Sequence, residues 1–198
     1  MSAPRIPPTD ISGLRGRVVK RFAKRMLGKV PESMGVVWHN LPVLTTMAKL
    51  GRKADKQWKA CDKNLKTFAH MAVAAKVGCS FCLDFAYFTA HNEGLDEAKA
   101  REVPRWRVSD AFTLLERDVL EYAEAMADTP PTVTDELSGR LLDALGPAAL
   151  LELATWIGMS NSMTRTNVAL GIKSEGFSEV CELPLAQPEP ARVIASVS

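Results

Sequence analysis

Two cysteines three residues apart, Cys79 and Cys82, with a glycine directly before them at Gly78, have the types and spacing best suited to chemistry in this sequence. Glycine readily ends a helix, so the apolar segment before it stops there and both thiols fall in the first turn of the next helix. At 3.6 residues per turn they lie about 60° apart on one face, close enough for a disulfide. Unpaired backbone N–H groups and the positive end of the helix dipole favour thiolate at that position, and thiolate is the nucleophile of peroxide reduction and disulfide exchange. A redox dithiol is therefore the leading reading. Two blander ones stand beside it. A structural zinc site needs four ligands, whereas Cys61, His70, His91 and Cys181 fall at spacings that supply no second pair. The cysteines could also simply fill an apolar helix.

Two further residues are candidates for the same chemistry. His70 precedes the hinge and could approach the thiols after the turn at Gly78; the bland reading is surface or core filler. Asp84 follows Cys82 by two positions, about 200° around the helix, on a face with Tyr87, Phe88 and His91. A structural pairing is expected for it, and Arg165 is the cation suggested as its partner. Cys61 and Cys181 have no local partner and read as free thiols, and the four tryptophans read as packing residues.

The elements that must position these groups read as helices throughout, with few alternating β-branched runs and no Asn-Gly or Asp-Gly hairpin signal. Leu14, Val18, Phe22 and Met26 recur every four residues among six Arg and Lys, which makes an amphipathic basic helix. Such a helix packs its stripe on its own domain or on a neighbouring subunit more often than on a membrane or nucleic acid. Helices are expected over about 62–77 and 79–92, and a short acidic one over 95–103. A capping box at Thr113 to Glu116 opens the next, which runs to Pro130. Thr134 or Thr132 caps one ending near Leu145, and the last spans 148–171. The order gives a basic arm over 1–30, a helical domain over 31–176 and an extended tail over 177–198.

A chain of 198 residues, 46% hydrophobic and 24% charged, is sized for one core and is not disordered or disulfide-dense. Residues 1–30 hold eight Lys or Arg against Asp10, leaving 17 bases against 22 acids elsewhere, so a mildly acidic body follows a basic arm. No aromatic interleaving or zinc-finger spacing supports a nucleic-acid partner. The stretch from Met71 to Ala90 is interrupted by Lys76, Gly78 and Asp84, so no membrane span is expected. Without a visible secretory signal, and with so few cysteines, a cytoplasmic location is expected.

Three passages carry a family resemblance: 30–44 with its His39-Asn40-Leu41-Pro42 turn, the Gly78 to Cys82 motif with its following helix, and 161–171 with Asn161, Arg165 and Asn167. In these the chain resembles the alkylhydroperoxidase D-like, carboxymuconolactone decarboxylase superfamily over about 30–176. The resemblance implies an all-α helical bundle, commonly a trimer or hexamer. It also implies a peroxidase or disulfide reductase in which Cys82 attacks the peroxide and Cys79 closes the disulfide, regenerated by a thiol reductant such as a lipoylated or other dithiol protein. No cofactor and no metal are expected.

The chain departs from such peroxidases where they resemble one another most: Thr67, Phe81 and Ala86 stand in place of a Glu and two His that relay protons. The expected activity is thus a thiol-dependent reduction of a hydroperoxide or small disulfide with an altered relay. The alternatives are a lactone decarboxylase-like enzyme of the same superfamily, or a non-catalytic redox-sensing oligomer.

Overall fold

The computed structural model describes residues 3–181 and 184–186, and among these it contains helices and no strand. Helix α4, Lys63–Val77, is the axis of the fold. Asp62 caps it by accepting from the Asn64 and Leu65 amides, and it ends at Gly78, whose φ of 78° is a left-handed conformation that glycine adopts without a Cβ penalty. Phe68, Ala69, Met71, Ala72, Val73 and Ala74 are all at most 1% exposed, so α4 is buried over most of its middle turns, with Thr67 and His70 half-buried. A helix apolar all round can be stable only when surrounded, and three others surround it: α5 (Ser80–Asn92), α7 (Leu114–Ala127) and α8 (Asp135–Leu170).

Both legs of the capping box expected at the start of α7 are formed: Glu116 N–H donates to Thr113 Oγ1, and Thr113 N–H donates to the Glu116 carboxylate. Thr134 caps α8 through the Leu137 amide. The separation expected near Gly146-Pro147 is a break within α8, with Gly146 at φ 75° and ψ 167°. By length and composition α8 could cross a membrane. Its inner face, with Leu141, Leu153 and Ile157 fully buried, instead packs on α4 and α7.

The short acidic helix is smaller than expected. Asp96 caps it at the Lys99 amide, so α6 covers only Glu97–Ala100 and a 3-10 segment, Val103–Val108, takes over. The extended tail also needs correction at its start: Phe177–Val180 forms a 3-10 turn against α5, while Pro188 and Pro190 lie outside the described residues.

Before the core come α1 (Gly13–Leu27), α2 (Glu32–Val37) and α3 (Leu41–Gln57). The basic helix forms where its periodicity places it, but its apolar stripe does not pack on this chain: Leu14, Val18, Phe22 and Met26 are 57–73% exposed. The arm is tied down before α1, where Arg5 N–H donates to the Leu170 carbonyl and Thr9 N–H to that of Gly35.

Candidate active site

The hinge places the thiols as the helix arithmetic requires. Cys79 is the N-cap of α5, and its sulfur accepts from the Cys82 amide at 3.3 Å. The two Sγ atoms lie 2.7 Å apart, unbonded, and both residues are buried, 1% and 4% exposed. Asn167, near the end of α8, donates its side-chain N–H to Cys82 Sγ at 3.2 Å. The hydrogen bond to Cys82 lowers the Cys79 pKa; burial opposes this, and the Cys82, Asn167 and Phe81 donors reinforce it. Cys82 moves the other way, pushed up by the same shared hydrogen bond, by burial and by the charge on Cys79. Of the two coupled thiols, Cys79 is therefore the one that gives up its proton more readily and Cys82 the one that keeps it. Cys61 and Cys181 are pushed up to about 11 by burial and are poor nucleophiles.

A cavity of about 440 Å³ lies between α4, α5 and α8, with Phe85 and Ala86 from α5, Thr67 and His70 from α4, and Trp156 and Met163 from α8 in its walls; neither thiol lines it. Its place relative to the thiols is given by register. One turn from Ala86 along α5 is Cys82, one turn from His70 along α4 is Ala74, and one turn from Met163 along α8 is Asn167. Ala74 clusters with both cysteines and Asn167 bonds Cys82, so the thiols sit one helical turn beyond the residues that line the cavity.

Thr67 and Ala86, two of the positions where acid-base groups are missing, line this cavity, and His70 stands one turn along α4 from Thr67. Its Nδ1 lies 2.9 Å from Ser160 Oγ, and burial pushes its pKa down to about 4, so the ring is neutral at physiological pH. His70 thus belongs to the cavity wall, while Cys79 and Cys82 lie outside its lining.

Asp84 is directed elsewhere. Its carboxylate accepts from Ser174 Oγ at 2.8 Å, Phe177 N at 3.0 Å, Ser178 N at 2.7 Å and Ser178 Oγ at 2.6 Å. Burial would raise its pKa, but the Ser178, Phe177 and Ser174 donors outweigh it and hold the group below the usual carboxylate range. The expected ion pair with Arg165 is not formed: that guanidinium bonds Asn161, the Ala127 carbonyl and Thr129. Four hydrogen-bond donors stabilise the buried carboxylate without a cation, and a sequence cannot show which segment will fold back to supply them.

Asn167 and Ser160 were not singled out as site residues by the sequence, although Asn167 lies in a passage that carries the resemblance. Among the described residues, His91, Glu97 and Cys181 have ligand atoms within 4.8 Å of one another. The His91 Nδ1 and Glu97 atoms of that group are already paired at 2.7 Å.

Residues 42–125 match the model of the carboxymuconolactone decarboxylase family. The chain is 35% identical to the uncharacterized protein YnjA of Escherichia coli K12 over 123 residues, 62% of this chain and 66% of that one, just under two thirds of its length. Among solved structures it is similar to the debrominase Bmp8, in a cysteine-to-alanine form bound to 2,3,4-tribromopyrrole, with a TM-score of 0.74 and 20% identity over 88% of this chain and 93% of that one. It is also similar to an uncharacterized peroxidase-related protein from Silicibacter sp. TM1040, with a TM-score of 0.70 and 16% identity over 86% and 93% of the two chains. Over residues 42–125 the chain is thus similar to the carboxymuconolactone decarboxylase family, and its fold is that of solved structures that include a putative antioxidant defence protein AhpD of Agrobacterium tumefaciens.

Proposed function

We propose that the protein is a dithiol oxidoreductase that reduces a hydroperoxide while Cys79 and Cys82 pass to a disulfide. The observation that carries this reading is a pair of unbonded thiols 2.7 Å apart, one of them the N-cap of α5 and lowered in pKa, one helical turn from the wall of a largely apolar cavity. The hydroperoxide reacts at Cys82, one turn along α5 from the cavity residue Ala86. Its sulfur attacks the terminal oxygen as its proton passes to Cys79; the O–O bond breaks, and the alkoxide leaves as alcohol with that proton. Cys79, again a thiolate, attacks the sulfur of the Cys82 sulfenic acid, and hydroxide leaves as water with a proton from solvent. The net change is dithiol and hydroperoxide to disulfide, alcohol and water. Cys79 thereby supplies the base that the replaced relay residues would otherwise provide.

The disulfide must be reduced again, and a dithiol partner such as a lipoylated protein has the chemistry to do so. A cytoplasmic setting suits a site that works from its reduced state. The test is stopped-flow oxidation of the reduced protein by hydrogen peroxide and by cumene hydroperoxide. Loss of two thiols per chain, abolished in Cys82→Ser and limited to one sulfenic acid in Cys79→Ser, is expected. Equal oxidation of wild type and both variants would refute the mechanism.

A second reading is favoured by the aromatic and thioether walls of the cavity, Phe85, Trp156, Met159 and Met163, together with the likeness to a debrominase. The same dithiol would then reduce a halogenated aromatic ring to the ring carrying hydrogen, yielding disulfide and hydrogen halide. Halide release matched one-to-one with disulfide formation distinguishes this from peroxide reduction.

A further inference from the structure

We propose that Nε2 of His70 is the hydrogen-bond acceptor for the substrate, so that the cavity selects an apolar molecule bearing an O–H group, such as a bulky organic hydroperoxide, and orients that group. This rests on the dithiol reading and adds to it the group that orients the substrate.

Hydrogen-bond accounting fixes the tautomer. The single hydroxyl hydrogen of Ser160 is donated to the Trp156 carbonyl at 2.8 Å, one turn back along α8. Toward His70 Nδ1, 2.9 Å away, Ser160 can only accept, so the ring proton is on Nδ1 and Nε2 carries a lone pair. Nε2 has no protein partner, and among the described residues no buried side-chain nitrogen or oxygen lacks one. Nε2 is therefore open, and the space it opens on is the cavity His70 lines. Burial keeps the imidazole neutral, so the lone pair is available at physiological pH.

The position suits a substrate held in the cavity. His70 shares the cavity wall with Ala86, and Cys82 lies one turn along α5 from Ala86. The hydrogen of the substrate O–H is held by Nε2, and the organic group lies against Phe85, Trp156, Met159 and Met163. His70 takes no proton in this arrangement; it orients the O–H group, and Ser160 is a positioning residue that fixes the ring.

The test uses unreactive probes on the reduced protein: 2-phenyl-2-propanol and its methyl ether, which differ in the O–H group, with binding followed by calorimetry. The alcohol should bind wild type roughly tenfold more tightly than the ether, the effect of one well-placed hydrogen bond of about 1.4 kcal/mol. The ratio should fall to about one in His70→Phe and be partly kept in His70→Gln, whose amide oxygen also accepts. Nitrogen NMR of the wild type should show Nδ1 protonated and Nε2 bare at pH 7, a readout independent of any variant. Equal binding of alcohol and ether to wild type, or a protonated Nε2, overturns the proposal. Discrimination between the probes without thiol oxidation by any hydroperoxide would sink the dithiol reading and leave the His70 acceptor standing. Oxidation of two thiols without discrimination would do the reverse.

Discussion

Asn167 holds the sulfur of Cys82 from 85 positions away in the sequence, and its donor favours thiolate at both sulfurs of the pair. Removing a donor to a charged or proton-sharing sulfur costs about 1.5 kcal/mol. Asn167→Leu should thus lower the rate of iodoacetamide alkylation of the pair at pH 7 roughly tenfold while the fold is kept, as peptide mapping of alkylated protein would show; an unchanged rate would remove Asn167 from the site. The contrast between Asn167 and Cys79 also shows what the sequence could reveal. The cap made by Cys79 depends on four consecutive residues and a glycine, so helix arithmetic finds it. The contacts of Asn167 with Cys82 and of Ser160 with His70 depend on how α8 lies along α4 and α5, and no local pattern encodes that.

Among the elements, α4 and α5 form a hairpin whose bend at Gly78 sets the thiols. Both were legible from apolar runs broken by one glycine. The segment 174–178, by contrast, is held by Asp84, where the sequence suggested a cation on α8. Replacing this acceptor of four hydrogen bonds by Asp84→Asn puts an amide N–H against backbone and hydroxyl donors, a loss of about 3 kcal/mol measurable by urea unfolding at pH 7. The pH dependence has a definite sign. The folded-state pKa of Asp84 lies below its unfolded value of about 3.9, so its stabilisation is complete above pH 3.9 and fades as pH falls through the folded value. The variant should lose that part of the acid sensitivity, and identical acid unfolding of variant and wild type would contradict the clamp.

For the molecule as a whole, the unresolved balance is the surface of α1. Its exposed stripe carries apolar side chains that gain nothing from water, and its basic face belongs to an arm of net charge +7, from eight bases and one acid, on a body of −5, from 17 bases and 22 acids. Val43, Met47 and Leu50 on α3 are exposed as well, at 56%, 39% and 41%. Opposite charges on arm and body suit packing of one copy's arm on another copy's body, in line with the trimer or hexamer expected from the resemblance. Phe22→Glu combined with Val18→Glu should shift the protein to smaller species in light scattering after size exclusion. A monomeric wild type, or an oligomer indifferent to both changes, would leave α1 without this role. The amphipathic pattern was plain in the sequence; which surface the stripe meets was not, because periodicity defines a face and not its partner.

The most direct measurement of the central claim is mass spectrometry of the reduced protein after one equivalent of cumene hydroperoxide, with all remaining thiols alkylated. The account predicts a single Cys79–Cys82 disulfide per chain, one equivalent of cumyl alcohol, and Cys61 and Cys181 recovered as free thiols. Oxidation spread over all four cysteines, or sulfinic acid on Cys82 without a disulfide, would contradict it.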